Sequence, residues 1–160
     1  MDKTTPRKPD LGWRQAHLGY WLGASQQRFD ARVLSLMAHN DEVPLALSNL
    51  AARGRLTASH IHITRHLALE GSRLTDLARR AGVSKQAMGK LVQECEAWGL
   101  VSRSADARDA RARCIVFTPI GLSWLQAFGQ AVAQAEAEFQ AAVGAEIATV
   151  VAIGLEAYAA

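Results

Sequence analysis

The sequence predicts a mainly α-helical protein that contains one small β-hairpin. Two long segments, residues 12–39 and 119–143, repeat apolar residues at helical spacing. Between them lie two short helical patterns on either side of Gly82, followed by a charged loop and a β-prone run at residues 114–117. With 160 residues and 49% hydrophobic content, the chain is large enough to bury a core, so we expect one domain at residues 12–160.

The composition favours a reducing, aqueous location. Residues 1–11 lack the apolar stretch of a secretory signal and are expected to be a disordered arm. No apolar run approaches the roughly 18 residues that cross a bilayer, so we expect no membrane partner and a cytoplasmic protein. Cys95 and Cys114 fit no metal or redox spacing. Burial of both thiols, wholly or in part, is the first interpretation, and a redox switch is the alternative.

The N-terminal segment is expected to hold a long helix at residues 12–39 that is apolar on two sides. One side would face the chain's own core and the other a second subunit. Residues 45–53 are expected to form a short helical turn after Pro44. Thr57 is a suitable N-cap for a helix that runs from Ala58 to about Leu69, and Gly71 would end it.

The middle of the chain predicts two helices joined by a tight turn. Ser72 is expected to cap the first helix, which runs to residue 81, and Gly82 can adopt the left-handed conformation of the turn. Ser84 would cap the second helix, which ends at Gly99. A strand would begin at residues 100–101, residues 102–112 would form a loop, and residues 114–117 would form the return strand.

The C-terminal segment begins with Thr118 as N-cap and Pro119 at the first helical position. A long helix to Val143 follows, Gly144 breaks it, and a last apolar helix ends the chain. We expect residues 12–55 and 118–160 to supply dimerisation helices around a lobe at residues 56–117. The lobe carries the positive charge: residues 60–117 have a net charge of +4 and residues 118–160 of −4. A polyanionic partner would therefore be drawn to the lobe.

A helix presented on a turn and followed by an Arg-rich hairpin is a winged helix-turn-helix, which is typical of proteins that read a DNA groove. The first exposed residues of the second helix would be the contacts, namely Ser84, Lys85, Gln86, Ala87 and Lys90. Gln86 can bond adenine in a bidentate way, and Ala87 can touch a thymine methyl. Lys85 and Lys90 suit phosphate or guanine.

Two further features of the lobe bear on DNA. Gly89 costs helix stability, and either close approach of DNA or close packing on the preceding helix would explain it. In the hairpin, Arg108 at the tip and Arg111 complete the predicted DNA-binding set. Asp109 would pair with Arg111 or Arg113 and shape the hairpin. A solvated charged loop is the alternative.

The run LTDLARRAGVSKQAMGKLVQECEAWGLVSR, the wing DARDAR at 106–111 and then VFTPIG resemble the MarR family of regulators. Ala107 and Ala110 replace the proline and first arginine that are frequent in that family's wing, which puts one phosphate contact in doubt. The resemblance implies a homodimer that binds double-stranded DNA at a pseudo-palindromic operator. It also implies that a small aromatic or anionic effector modulates DNA binding.

These observations predict a sequence-specific DNA-binding transcriptional regulator, a homodimeric repressor modulated by a small-molecule ligand. The alternative is a winged-helix dimerisation or protein-interaction module without specific DNA binding. The candidate ligand pocket is formed by Trp13, His17, Tyr20, Ile61 and His62. Aromatic side chains at helical spacing are also typical of a core or a dimer interface.

The remaining motifs point away from catalysis. His62 and His66 have the i, i+4 spacing of a metal pair, and His60 lies beside them, but the sequence supplies no further ligand. A polar helix face or an effector-pocket wall is the favoured interpretation, so we expect no metal. The chain has no Gly-rich phosphate loop, no G-x-S-x-G and no H-E-x-x-H motif. We therefore expect no enzymatic activity and no cofactor.

Overall fold

Helices dominate the described part of the chain, and one small sheet interrupts them there. The computed structural model describes residues 12–40, 49, 54–105 and 113–160. A 3₁₀ turn at Gly12–Gln15 precedes α1 (Leu18–Ala38) and α2 (Ala58–His66). The middle of the chain forms β1 (Ser72–Arg73), α3 (Leu74–Arg80), α4 (Lys85–Ala97), β2 (Val101–Ala105) and β3 (Arg113–Phe117). Two helices follow, α5 (Pro119–Val143) and α6 (Ala145–Ala159).

The sheet is antiparallel, with strand order β1-β3-β2. β2 and β3 pair from Val101 opposite Phe117 to Ala105 opposite Arg113, and β1 adds Ser72 opposite Ile115. The hairpin therefore returns along the edge of the helix pair α3 and α4. β2 lies beside α4, and β3 lies beside α3.

One apolar core joins the helix pair, α2 and the sheet. Leu77 of α3 and Met88 and Val92 of α4 are fully buried, and Ile61 of α2 and Ile115 of β3 are almost so. The interior faces that helical periodicity predicts for α3 and α4 are confirmed. Because these side chains pack on both sides of the turn at residues 81–84, α4 is held at a fixed angle to α3.

The start of α5 crosses close over the start of β2. The Thr118 hydroxyl accepts a hydrogen bond from the Gly121 N–H at 3.0 Å and donates one to the Gly99 carbonyl. A Cβ built on Gly121 would collide with the Leu100 carbonyl oxygen, so only glycine allows this approach. The predicted helix start at residues 118–119 is confirmed, and this pair of contacts explains the T-x-x-G pattern.

Four predicted boundaries were wrong. Ser72 is not a helix cap: it lies in β1, where its hydroxyl accepts from the Ala68 N–H at 3.2 Å, and α3 starts one residue later after Arg73. The N-terminal helix begins at residue 18 after a separate 3₁₀ turn. α2 ends at residue 66, before Gly71, and β2 takes up residues 102–105 of the predicted loop. The disordered arm at 1–11 and the helical turn at 45–53 were predicted for segments outside the described residues, apart from Asn49.

Two ion pairs tie α1 to the rest of the chain. Arg32 makes a bidentate pair with Glu138 of α5, with both N–O distances 2.7 Å. The Asp30 carboxylate is buried, and the Arg65 guanidinium of α2 donates to it at 2.7 Å. The second pair links α1 to the lobe through α2.

The last helix has an apolar surface that the single chain does not cover. None of the residues of α6 is buried in the described chain. Its exposed side chains include Ile147, Val150, Ile153, Leu155 and Tyr158. Leu18 and Trp21 at the start of α1 are also exposed, at 71% and 57%. These helix faces are more apolar than solvent-exposed helices usually are.

A membrane span is not found in any single helix of the described residues. In that part of the chain only α5 and α6 together reach the length and apolar composition of a span, and they are bent by 120° at Gly144.

Candidate nucleic-acid interface

The N-terminal end of α4 is presented by a rigid turn. Gly82 has φ of +65°, as predicted for the residue that turns the chain. The Val83 N–H then donates to the Ala78 carbonyl at 3.1 Å. Ser84 is the N-cap, and its hydroxyl accepts from the Ala87 N–H at 3.1 Å. Two local bonds and a left-handed residue therefore determine where α4 begins and in which direction it points.

The predicted contact residues of α4 share one exposed face, while Met88 between them is fully buried. That face carries Ser84, Lys85, Gln86, Ala87 and Lys90. Two lysines, an amide and a methyl group are what a base-reading and phosphate-binding surface requires. The structure brings these five residues together, and their contact with DNA stays a prediction.

A groove runs along the β2 side of this face. Besides the predicted residues it is lined by Leu74, Gln93 and Arg103. The Arg103 Nε donates to the Glu96 carboxylate at 3.2 Å, which holds the guanidinium beside α4. Sequence reasoning missed Gln93, although the i, i+7 spacing from Gln86 places both amides on one stripe of the helix and could have revealed it.

A second depression lies on the α2 side of α4. It is lined by Arg55, Thr57 and Ser59 before and at the start of α2, with Ala87 and Lys90 opposite. Ala87 and Lys90 border both depressions. The exposed face of α4 is therefore a ridge with a cation on either flank, Arg103 on one and Arg55 on the other. Sequence reasoning assigned no role to Arg55 or Ser59, since their proximity to α4 is tertiary.

A buried histidine connects α2 to α4 beneath this depression. His60 is 4% exposed. Its Nδ1 accepts from the Thr57 N–H at 3.0 Å and its Nε2 lies 2.8 Å from the Glu94 carboxylate. The ring also packs on Trp98, with ring centroids 4.8 Å apart. Thr57 was predicted as an N-cap, but the histidine that completes its capping box was not.

The wing tip was predicted to carry Arg108 and Arg111, with Asp109 as an internal partner. All three lie outside the described residues, so these assignments stay predictions. The described part of the hairpin ends with Ala105 opposite Arg113, and Arg113 is exposed.

The candidate ligand residues divide into two environments. Trp13, His17 and Tyr20 form a chain of neighbouring rings, with centroids 6.1 and 6.4 Å apart, and all three are exposed. Ile61 is 1% exposed and belongs to the core of the lobe. The structure does not describe the His62 side chain. The single chain thus exposes the three rings, and the predicted pocket is untested.

Metal binding and thiol chemistry gain no support from the geometry. The described residues contain no group of three or more His, Cys, Asp or Glu side chains that could hold a metal ion. Cys95 is buried and Cys114 partly buried, as expected for free cysteines. Burial, with a smaller effect from the Glu94 charge, raises the pKa of the Cys95 thiol to about 12. This thiol is therefore protonated and unreactive at neutral pH.

Comparison with known proteins finds a family model that matches this lobe. Residues 56–112 match the model of the MarR family. Among solved structures, the transcriptional repressor CouR bound to a 23-mer DNA duplex has a TM-score of 0.71 at 20% identity, covering 96% of this chain and 100% of that one. CouR from Rhodococcus jostii RHA1 bound to p-coumaroyl-CoA has a TM-score of 0.65 at 18% identity, with 89% and 91% coverage.

A third similar structure is the MarR-family protein Rv2887 of Mycobacterium tuberculosis in complex with p-aminosalicylic acid. Its TM-score is 0.63 at 23% identity, covering 90% of this chain and 99% of that one. No curated protein sequence matches the chain. At these identities the structural likeness shows a shared fold over nearly the whole chain. The predicted winged helix with flanking helices is confirmed, and the family resemblance of the lobe is confirmed by the model match.

Proposed function

We propose that this chain, whose residues 56–112 match the model of the MarR family, is a homodimeric transcriptional repressor that binds DNA in a sequence-specific manner. One observation carries the proposal: the exposed end of α4 is a ridge of Lys85, Gln86, Ala87 and Lys90 between two basic depressions. On this proposal α4 is the recognition helix, and it enters a major groove with its N-terminal end first.

The roles of the residues follow from their chemistry. Gln86 reads a base edge and Ala87 a thymine methyl, whereas Lys85, Lys90 and the Ser84 hydroxyl bind phosphate or guanine. Arg55 and Arg103 flank the ridge at the positions where the two phosphate backbones of a groove would pass. Arg108 and Arg111 of the wing are proposed to reach the adjacent groove and backbone.

A second copy of the chain is proposed to cover the apolar faces of α6 and the start of α1. Burying exposed side chains such as Ile153 and Leu155 supplies the driving force for association. Two-fold symmetry would place two recognition helices about 34 Å apart, the spacing of successive major grooves. A symmetric dimer reads a pseudo-palindromic operator for this reason. Residues 12–55 and 118–160 are thus proposed as the dimerisation segments of a single domain.

Ligand modulation is proposed from the same architecture. Trp13, His17 and Tyr20 present exposed rings beside the uncovered apolar surface of α1. Flat aromatic groups stack on such rings, and an anionic group would find basic partners in the lobe. Structures of the same fold hold p-coumaroyl-CoA and p-aminosalicylic acid. We propose a small aromatic or anionic effector, a cytoplasmic location and no enzymatic activity.

DNA selection from the source genome followed by titration tests the proposal. A selected pseudo-palindromic duplex is expected to bind far more tightly than a scrambled duplex, with affinity that falls steeply as salt rises. Equal, weak binding of both duplexes at moderate salt would overturn sequence-specific recognition. Recovery of a protein partner without DNA would favour an interaction module instead.

Two variants distinguish base recognition from phosphate binding. Gln86→Ala is expected to change base preference at one position of each half-site, at a cost of about 1–3 kcal/mol. Arg108→Ala is expected to weaken binding to all sequences and to reduce the salt dependence. An unaltered preference in Gln86→Ala would remove that side chain from base readout.

A further inference from the structure

His60 is held at both ring nitrogens. The Thr57 N–H donates to Nδ1, so the ring N–H lies on Nε2, which donates to Glu94 at 2.8 Å. The imidazole is 4% exposed, whereas the Glu94 side chain is 38% exposed. A buried donor that lost its partner would remain unsatisfied, which makes this bond costly to break.

The position of Glu94 on α4 gives the bond a consequence. Glu94 lies four residues after Lys90 and eight after Gln86, so the three side chains share one stripe of the helix. A constraint on Glu94 therefore acts on the rotation of α4 about its own axis, in addition to the buried side chains Met88 and Val92. The packing of His60 on Trp98, at the C-terminal end of α4, adds a second point of attachment.

The other end of α2 is also anchored. Arg65 donates to the buried Asp30 carboxylate of α1 at 2.7 Å. Within the described residues α2 is thus bonded to α1 at one end and to α4 at the other. His60 is therefore on a helix that is fixed against α1 as well as against α4.

We propose that His60 is a positioning residue for DNA recognition: its bond to Glu94 sets the rotation of α4 that presents Gln86 and Lys90 to the groove. The inference rests on the proposed DNA-binding function. It assigns His60 no contact with DNA, since the ring is buried under the depression lined by Arg55 and Lys90.

The test uses variants that keep the cap and change only the bond to α4. Glutamine at position 60 has an acceptor and a donor with about the separation of the two ring nitrogens, so His60→Gln can keep both bonds. His60→Glu keeps the capping acceptor but places a carboxylate against Glu94. In the double variant His60→Glu with Glu94→Gln, the donor and acceptor are exchanged and the bond can form again.

Full-length variants are titrated with the selected operator and with a scrambled duplex, and thermal melting confirms that each is folded. His60→Gln is expected to bind the operator within about threefold of wild type, and His60→Glu roughly tenfold or more weakly. The double variant is expected to recover most of that loss. The carboxylate of His60→Glu adds a negative charge near Lys90, so some loss is expected on both duplexes. The loss on the operator in excess of the loss on the scrambled duplex measures the positioning effect, and the double variant has the same net charge as the wild type.

The outcomes are distinguishable. A folded His60→Glu protein that binds the operator as wild type does would overturn the positioning role, and so would a folded double variant with no recovery. Failure of the wild-type protein to prefer the operator would overturn the proposed function and this inference with it. Glu94→Gln alone retains an acceptor for His60 and removes one negative charge near Lys90, so it serves as the charge control. It is expected to strengthen binding to the operator and to the scrambled duplex by a similar factor.

Discussion

Replacing Gly89 by alanine distinguishes the two explanations for a glycine in the middle of α4. A Cβ built at this position lies 3.8 Å from Leu74 Cδ2, which is ordinary van der Waals contact. Packing on α3 therefore does not require glycine. Gly89 lines the groove on the β2 side of α4 together with Lys85 and Gln86. Close approach of DNA is therefore the explanation that we favour for this glycine.

The substitution is expected to change stability and DNA binding in opposite directions. Alanine removes the helix penalty of glycine, so the free energy of unfolding should rise by about 1 kcal/mol, and Tm by about 2–4 °C. The added methyl group lies where the DNA backbone or a base edge would approach. Loss of about 1.4 kcal/mol of binding free energy would raise Kd about tenfold. Thermal melting and operator titration at constant salt measure the two effects.

Gly129→Ala is the matched control, because Gly129 lies within α5 and its built Cβ meets no heavy atom within 4 Å. It is expected to stabilise the protein similarly without affecting DNA affinity. A stabilised Gly89→Ala protein with unchanged operator affinity would refute the close-approach explanation. A destabilised one would show that α3 and α4 pack more tightly here than the structure indicates.

Three further predictions concern stability and reactivity. Arg65→Ala is expected to lower the free energy of unfolding, measured in urea, by about 3 kcal/mol, since the buried Asp30 carboxylate loses its partner. Arg32→Ala breaks an exposed ion pair and should lower the free energy of unfolding much less. Equal losses in the two variants would contradict this reasoning. The hydrogen bond from Arg32 lowers the pKa of Glu138 from 4.5 to about 2, so its stabilising effect is present above pH 4.5 and is lost as the pH falls through 2. Acid unfolding should therefore begin at higher pH in Arg32→Ala than in the wild type. Unfolding of both proteins at the same pH would contradict a stabilising role for the Arg32–Glu138 pair. Because burial raises the pKa of Cys95 to about 12, this thiol should react with a disulfide reagent only on unfolding, and rapid labelling in the native protein would disprove its burial.

Local features of the sequence were sufficient to predict the helix-turn-helix and its exposed face. Ser84 and Thr118 cap their helices through bonds to residues three positions away, and Gly82 needs only its own φ. The inward position of Met88 and the outward position of Gln86 follow from the 3.6-residue period. Each of these depends on residues within one turn of each other, which is why a single sequence reveals them.

Two of the four wrong boundaries arose where a distant partner competed with a local preference. Ser72 is a good helix cap in isolation, but its backbone pairs with Ile115 of β3, and the strand prevails. In the same way, the predicted loop at 102–112 loses its first residues to the pairing of β2 with β3. A cap contributes one bond, whereas a strand position contributes ladder bonds and a buried side chain.

The sequence by itself determined the fold class, the exposed face of α4 and the basic character of the lobe, because short-range bonds, helical periodicity and charge depend on residues that are close together in the chain. Tertiary structure alone decided that His60 meets Glu94, that Arg55 and Arg103 flank α4, and that α6 is left uncovered. Those contacts join residues that are separated along the chain. Their formation depends on how the helices pack around the common core, which no local pattern specifies.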